Sequence, residues 1–415
     1  MVLGPGGSTD RTGVGSYTLS NGTLTVMNEQ EQIGEYASGT FNQSGGTNTA
    51  AVLLVGGEVS GTYIFSGGTL AANDGEGVGN WVGTGGVGVG TFEQTGGVQT
   101  VSPLAAPGFQ YAIVIGRGAN VGGSGNYLLS GTGSLTVNGS ILVTSPIAGP
   151  SSTLSVSSGS MYVSGGIAVG SGNGTISYGG SFTQTGGTVT LGGLGINSGT
   201  NFSLSGGTLN VASGYFTTAS SVVVGNGSTP TTLNLTGGSS NASYTFAQGL
   251  SISSAATLTG GGTITNSSSS APVTVYGAIA PTASQNSLSI LGSFTLAPTT
   301  TTLIEEVGST PTFGSVTSSG NMALAGALAL YEDAANEATT TAGQSFIILQ
   351  TTGSGVLSGA FSNIASGQTL TTTDGTASFV VTVNEGTDGD VVLSDFQMVP
   401  EPGAVGVIAR RRWRW

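Results

Sequence analysis

One short phrase returns along most of this chain. It reads GSYTLSNGTL from residue 15, GTFNQSGGTN from 39, GTYIFSGGTL from 61, GTFEQTGGVQ from 90, GSFTQTGGTV from 180 and NFSLSGGTLN from 201. Recurrence at intervals of tens of residues indicates a chain assembled from stacked copies of one structural unit. We therefore expect a repeat protein in which each copy packs mainly against its neighbours.

Apolar and small polar residues alternate on both sides of the glycine pair in each copy. Tyr17 and Leu19 fall on one side of the first run, and Leu24 and Val26 fall on one side of the second. This two-residue period predicts strands with one buried face and one exposed face. The glycine pair supplies the positive φ angles that a sharp corner requires.

The central aromatic or leucine position of the phrase recurs with varied spacing. Its occurrences are Tyr17, Phe41, Tyr63, Phe92, Tyr127, Leu154, Phe182, Phe202 and Leu233. A string of β-hairpins in a sandwich or propeller contains similar strands, but it does not require the same residue at the same phase of every unit. A parallel β-helix does require the same residue at the same phase, because successive coils lie about 4.8 Å apart and like residues stack on one another.

The repeat therefore predicts an all-β fold, a parallel β-helix or β-solenoid. We expect it to be right-handed, as β crossovers generally are. Residues 15–260 are expected to form roughly nine or ten coils, and each coil lies one strand spacing above the previous one. Disordered linkers are also rich in Gly and Ser, but the 14 Phe and 11 Tyr residues at patterned positions favour packing over disorder.

Charge is unusually scarce in this chain. The 415 residues include 76 Gly, no Cys and no His, and the formal net charge is −13. Between Gln94 and Ile304 the only acidic or basic side chain is that of Arg117. So few basic side chains cannot form a positively charged surface for phosphate groups. We therefore expect no nucleic-acid partner.

Stacking explains why charges are avoided, because like charges one coil apart repel. Acidic residues gather near the two ends of the array. Those on one side are Glu29, Glu31 and Glu35, and those on the other are Glu305, Glu306, Glu332 and Asp333. We expect these carboxylates at the exposed ends of the solenoid, where they discourage the addition of further chains. The interior is expected to hold stacked apolar side chains and no acid or base groups.

After about residue 260 a different order of segments begins. It runs through Gly277 to Gly292, Leu303 to Val307, Gly326 to Leu330 and Gly343 to Leu349. This order resembles the terminal region of bacterial surface proteins with autotransporter-type β-helix passengers, and that of repeat proteins ending in a PEP-CTERM sorting signal. The resemblance implies a β-helical or more irregular β-rich region over residues 261–396.

The end of the chain resembles the PEP-CTERM signal itself. The matching residues are Val399, Pro400, Glu401 and Pro402, followed by the basic residues Arg410, Arg411 and Arg412. The resemblance implies a degenerate sorting tail over residues 397–415 and processing by an exosortase-type enzyme. The alternative is a short basic end that is held near anionic lipid or is simply disordered. Only Gly403 to Ala409 separate the two motifs, against about 20 residues needed to cross hydrocarbon, so we predict no transmembrane span.

Residues 1–14 complete the expected organisation, as a cap or a disordered start before the repeats. The segment MVLGPGGSTDRTG lacks the basic and apolar regions of a signal peptide. The resemblance nevertheless implies a secreted or cell-surface protein.

The residue types argue against most catalytic sites. Without His or Cys there is no imidazole acid or base, no thiol nucleophile and no usual zinc site, and the central coils lack the two carboxyl groups that glycoside hydrolysis requires. Two acidic turns carry oxygen ligands suited to weak Ca²⁺ binding, but solvated turns explain them better. These turns contain Asn73, Asp74 and Glu76, and Asn384, Glu385, Asp388 and Asp390.

We therefore predict a non-enzymatic structural protein without a cofactor: a matrix component, an envelope layer or an adhesin stalk. Its expected partners are extracellular polysaccharide or neighbouring surface proteins. A second hypothesis is a carbohydrate-binding surface protein whose loops present Trp81, Phe109 and Tyr111 as stacking platforms. A third hypothesis is a polysaccharide-degrading β-helix enzyme.

Overall fold

The computed structural model is all-β, with parallel strands stacked turn upon turn in a solenoid, as the repeat predicted. The structure describes residues 1–3, 13–79, 88–103, 111–116, 123–145, 151–170, 179–237, 242–266, 272–282, 287–305, 313–331 and 340–399. Within these ranges no helix is long and apolar enough to cross a membrane.

The strands are short, and most carry alternating buried and exposed residues. In chain order they are β1 (Val2–Leu3), β2 (Val14–Leu19), β3 (Thr23–Ile33), β4 (Ser38–Gln43), β5 (Thr47–Val55), β6 (Ser60–Phe65), β7 (Thr69–Ala72), β8 (Glu76–Val78), β9 (Val89–Gln94), β10 (Val98–Val101), β11 (Tyr111–Ile115), β12 (Ser124–Leu129), β13 (Ser134–Val137), β14 (Ser140–Val143), β15 (Thr153–Val156), β16 (Ser160–Val163), β17 (Gly166–Val169), β18 (Ser181–Leu191), β19 (Leu194–Ile196), β20 (Asn201–Val211), β21 (Gly214–Phe216), β22 (Val222–Val224), β23 (Thr231–Leu235), β24 (Ser243–Phe246), β25 (Leu250–Ile252), β26 (Ala256–Gly260), β27 (Gly262–Thr265), β28 (Val273–Val275), β29 (Ala278–Pro281), β30 (Leu288–Leu291), β31 (Phe294–Leu296), β32 (Thr301–Glu305), β33 (Val316–Ser318), β34 (Met322–Leu324), β35 (Ala327–Tyr331), β36 (Phe346–Thr351), β37 (Val356–Gly359), β38 (Gln368–Thr371), β39 (Ala377–Asn384), β40 (Gly386–Thr387) and β41 (Asp390–Met398).

Each turn of the solenoid contributes to three parallel ladders. Ladder A contains β2, β4, β6, β9, β12, β15, β18, β20, β22, β25, β28, β31, β34 and β37. Ladder B contains β3, β5, β7, β10, β13, β16, β18, β20, β23, β26, β29, β32 and β35. Ladder C contains β1, β3, β5, β8, β11, β14, β17, β19, β21, β24, β27, β30, β33 and β36. The long strands β3, β5, β18 and β20 bend at a corner and serve two ladders each.

The predicted column of stacked side chains runs inside ladder A. The rings of Tyr17, Phe41, Tyr63, Phe92 and Tyr127 follow one another with centroid distances of 5.0, 4.7, 5.0 and 4.7 Å. The same register continues through Leu154, Phe182 and Phe202. Like residues therefore stack on like residues, which confirms the phase argument from the repeat.

Leu233 is the exception among the predicted anchors. It pairs with Leu209, on the half of β20 that belongs to ladder B. In that turn the ladder A strand is β22, which pairs through Val224 with Leu204 and carries no aromatic residue. The prediction for Leu233 was wrong because Leu233 lies in an alternating strand pattern that is not preceded by the aromatic half of the repeated phrase.

Glycine is required where ladder C turns into ladder A. Gly39, Gly61, Gly90 and Gly125 stack in one column facing the interior. A Cβ on Gly61 would lie 2.0 Å from the carbonyl oxygen of Ile33, so two backbones meet there with no room for a side chain. The first glycine of the repeated phrase thus marks a close approach of two consecutive turns.

Parallel stacking continues past residue 260 and ends at β37, which pairs with β34. The strands that follow are antiparallel: β38 pairs with β39, β39 with β41, and β41 with β36, the last strand of ladder C. Phe379 and Phe396 on these strands belong to the same hydrophobic core as the solenoid. At the other end, β1 pairs with Gln32 and Ile33 of β3.

Candidate functional site

Two carboxyl groups lie inside the solenoid, although we expected an apolar interior. Glu31 and Glu76 are both completely buried. Both occupy inward positions of ladder C, because Glu31 is in register with Leu53 and Leu53 with Glu76. The prediction that Glu31 lies at an exposed end, and the assignment of Glu76 to a solvated turn, are both wrong for this reason.

Glu31 begins a hydrogen-bonded network that joins three consecutive turns. Its two carboxylate oxygens accept from Asn48 Nδ2 at 3.2 and 3.0 Å, and Asn48 Nδ2 also donates to Tyr63 Oη at 3.1 Å. Tyr63 Oη donates to Gln43 Oε1 at 2.5 Å. Gln43 Nε2 in turn donates to the Thr69 carbonyl at 2.9 Å. The acid, the amides and the phenol belong to successive turns.

Glu76 begins a second network of the same design, two turns further along. Gln99 Nε2 donates to Glu76 Oε2 at 2.6 Å, and Tyr127 Oη donates to Gln99 Oε1 at 2.6 Å. Gln94 Nε2 donates to the Ser134 carbonyl at 3.0 Å. Tyr63 and Glu76 share the turn in which the first network ends and the second begins. The two networks together, hereafter the polar column, comprise Glu31, Gln43, Asn48, Tyr63, Glu76, Gln94, Gln99 and Tyr127.

A third copy of this arrangement is incomplete. Gln184 donates through Nε2 to the Thr208 carbonyl at 2.9 Å, as the equivalent glutamines do. The aromatic residue of the next turn is Phe202, which has no hydroxyl group, and Gln184 Oε1 is buried without a partner. The sequence contained a signal for the networks that we missed. An aromatic residue two positions before Gln, at Phe41 and Phe92, is followed in the next turn by Tyr rather than Phe.

Burial raises the pKa of both carboxyl groups above its ordinary value. Desolvation raises the pKa of Glu76 to about 8, against the opposing effect of its hydrogen bond from Gln99. Desolvation likewise raises the pKa of Glu31 to about 7, which the hydrogen bond from Asn48 and the charge of the N-terminus partly oppose. Lys, Arg and His side chains are absent from the described part of the chain, so neither acid has an ion-pair partner there.

The polar column is closed to substrate. All eight side chains are buried, at 0 or 1% exposure. Buried acceptors without partners remain at Asn48 Oδ1 and Glu76 Oε1. The column holds protons inside the rod and links turns to one another, but it presents no reacting group to the surface.

The predicted sorting-signal residues fall almost entirely outside the described residues. Pro400, Glu401, Pro402, Arg410, Arg411 and Arg412 all lie there. Val399 follows β41, is partly exposed, and donates its backbone N–H to the Thr376 carbonyl at 2.7 Å. The sorting signal therefore stays a prediction.

Of the three predicted stacking platforms, Trp81 and Phe109 are outside the described residues and Tyr111 is within them. Tyr111 lines a groove of about 480 Å³ on the outside of ladder C, together with Tyr215. The floor includes glycines, and the ring of Tyr215 lies across Gly195, where a Cβ would meet it at 2.5 Å. The groove has two tyrosines and no charged lining residue.

The side chains of the two acidic turns are arranged differently from one another. Glu76 points into the rod and is bonded to Gln99, away from Asp74, which lines a different groove. Asn384 Nδ2 donates to Asp390 Oδ1 at 2.7 Å across the paired ends of β39 and β41. Within the described ranges no three His, Cys, Asp or Glu side chains come together as a metal site would require.

The outward residues of ladder B form two columns in register, which we call the threonine face. The first column is Thr23, Thr47, Thr69, Val98, Ser134, Ser160, Thr188, Thr208, Thr232, Thr257, Ala278 and Thr301. The second column is Thr25, Thr49, Ala71, Thr100, Thr136, Tyr162, Thr190, Asn210, Asn234, Thr259 and Ala280. Some neighbours bond along the rod: Asn234 Nδ2 donates to Asn210 Oδ1 at 2.8 Å, and Asn210 Nδ2 donates to Thr190 Oγ1 at 3.1 Å.

Comparison with known proteins gives no relative for this chain: no protein-family model, no curated protein and no solved structure matches it.

Proposed function

We propose that this chain is a non-enzymatic structural rod of a cell surface or an extracellular matrix. The observation that carries the proposal is the unbroken parallel pairing of ladder A from β2 to β37. Among the described residues, ten strands of this ladder lie between Val14 and Ile252, so nine strand spacings give a rod of about 43 Å for that part alone.

Packing along the axis supports a mechanical role. Turns contact one another through backbone hydrogen bonds on three sides, and the turns of Tyr17, Phe41, Tyr63, Phe92 and Tyr127 are also joined by the stacked rings inside ladder A. The polar column adds side-chain bonds that cross from one turn to the next, such as that from Tyr63 to Gln43. Because parallel strands pair over the whole rod, bending or peeling it requires many hydrogen bonds to break together.

The location and the partners of the rod follow from the resemblance and the surface. Secretion and exosortase processing rest on the PEP-CTERM-like residues from Val399 onwards. A surface rich in Ser, Thr and Asn offers hydrogen bonds to polysaccharide or to neighbouring surface proteins.

Carbohydrate binding is the second candidate function. Tyr111 and Tyr215 on the groove of ladder C favour it, because exposed aromatic rings beside hydroxyl groups suit sugars. This function is compatible with the rod, since a surface scaffold also needs attachment points.

Stretching single molecules between cysteines introduced near Val14 and near Met398 tests the structural role. We expect the rod to resist low force and then to unfold in discrete steps, each of which releases one turn. A turn of 20 to 35 residues releases roughly 70 to 120 Å, at about 3.5 Å per residue. Smooth extension at low force, like that of an unfolded chain, would contradict the proposal. The same preparation should release no reducing ends from polysaccharides, and release of such ends would favour the enzyme hypothesis instead.

A further inference from the structure

The threonine face is regular in two directions. Neighbours within a column lie one strand spacing apart, about 4.8 Å, and the two columns lie about 6.7 Å apart along each strand. Neither column contains an ionisable acid or base from Thr23 to Thr301. The face therefore offers hydroxyl and methyl groups on a fixed, uncharged lattice, and a ligand that contacts many turns must itself be periodic.

Tyr162 interrupts the lattice at its centre. Its side chain is 50% exposed, and its in-register neighbours Thr136 and Thr190 are both small. The ring therefore stands above the threonines with hydroxyl groups on either side. An aromatic ring beside hydrogen-bonding groups matches a sugar, which has an apolar C–H face and hydroxyl groups at its edge.

We propose that the threonine face binds an ordered, neutral polysaccharide, with one sugar ring packed on Tyr162. The proposal rests on carbohydrate binding, the second candidate function, and assigns it to ladder B rather than to the groove of ladder C. The net charge of −13 repels acidic polymers, and the face has no charge to pair with a charged sugar, so the ligand is neutral.

Ice is another periodic and uncharged surface, but the threonine face does not match it. A flat lattice plane would meet the threonines only if nothing projected beyond them. Tyr162 projects from the middle of the second column and keeps such a plane away. A polysaccharide chain accommodates the ring because it is a ribbon of separate sugar units rather than a continuous plane.

The test is a binding isotherm of the full chain on microcrystalline cellulose and on chitin powder, with polygalacturonate as an acidic probe. We expect saturable binding to at least one neutral solid, unaffected by high salt, and none to polygalacturonate. Tyr162→Ala should weaken binding about tenfold, the loss of one stacking contact. Thr190→Lys should weaken it similarly, by placing a long charged side chain on the face.

Two matched variants separate this proposal from carbohydrate binding elsewhere. Tyr276 is 48% exposed directly after the ladder A strand β28, and Thr183 faces outward on ladder A. Tyr276→Ala and Thr183→Lys should leave binding unchanged, and circular dichroism should show all these variants folded. Tyr215→Ala is made as well, because Tyr215 lines the groove of ladder C. If Tyr215→Ala abolishes binding while Tyr162→Ala keeps it, the assignment to ladder B is wrong although carbohydrate binding stands. If the wild-type chain binds neither neutral solid, or binds only ice as detected by thermal hysteresis, both proposals fail.

Discussion

Replacing Glu76 with glutamine is expected to abolish most of the fall in folding stability that the wild-type chain shows as the pH rises from about 5 to about 9. The ordinary pKa of 4.5 describes this group in the unfolded chain, and burial raises the pKa to about 8 in the fold. The folded state therefore holds the proton more tightly. Its contribution to stability is complete below pH 4.5, declines as the pH rises, and is lost above about pH 8.

The expected size of this effect is large. At about 1.4 kcal/mol per pKa unit, the rise from 4.5 to about 8 corresponds to a loss on the order of 5 kcal/mol. Glu31, with its pKa of about 7, adds a smaller loss over a lower range of pH. Glutamine resembles the protonated acid and carries no charge at any pH. At about pH 9 the Glu76→Gln chain should thus be more stable than the wild type by several kcal/mol.

Hydrogen exchange measured across this pH range gives the local free energy of opening around the polar column. The amides of Leu53 and Ile113, on either side of Glu76 in ladder C, report it directly. Glu93→Gln is the matched control, because Glu93 lies on the outward side of ladder A. If the wild type and Glu76→Gln respond identically to pH, the buried carboxyl group does not control stability.

Replacing Gly61 with alanine is expected to destabilise the fold strongly at any pH. The new Cβ would lie 2.0 Å from the Ile33 carbonyl oxygen and 2.2 Å from the Gly56 nitrogen, and both are backbone atoms that cannot rotate away. The corner from ladder C to ladder A must then open. We expect a loss of more than about 3 kcal/mol, because overpacking against backbone displaces two turns at once.

Gly343→Ala is the control for this substitution. No atom lies within 4 Å of a Cβ at that position, and its φ is not in the left-handed region. Alanine there should be neutral or should stabilise the chain by about 0.5 kcal/mol. Thermal unfolding followed by circular dichroism compares the two variants. A melting temperature for Gly61→Ala equal to that of Gly343→Ala would mean that the two backbones do not meet at this corner.

The sequence predicted the solenoid because its strongest signal is local and repeated. The phase of Tyr17, Phe41 and Tyr63 required stacking, and the glycine pair required a corner. The same reasoning misplaced Leu233, because strand alternation alone does not say which of three ladders a strand joins.

The polar column was missed for a different reason. A carboxylate in sequence is normally read as exposed, since burying it costs several kcal/mol unless it is neutral or hydrogen-bonded. Glu31 and Glu76 satisfy that condition through Asn48 and Gln99, which belong to other turns. Those partners are 17 and 23 residues away, so only the register of the ladders brings them together.

The most direct test of the account is the spacing of ladder B measured with pairs of spin labels. The chain contains no Cys, so labels can be attached at introduced cysteines alone. With one label at Thr49 and the other at Thr136, Thr190 or Thr259, the labels lie three, five or eight strands apart. We predict backbone separations of about 14, 24 and 38 Å, which grow by one strand spacing per turn. Separations that do not increase in this order would contradict a parallel stack of turns.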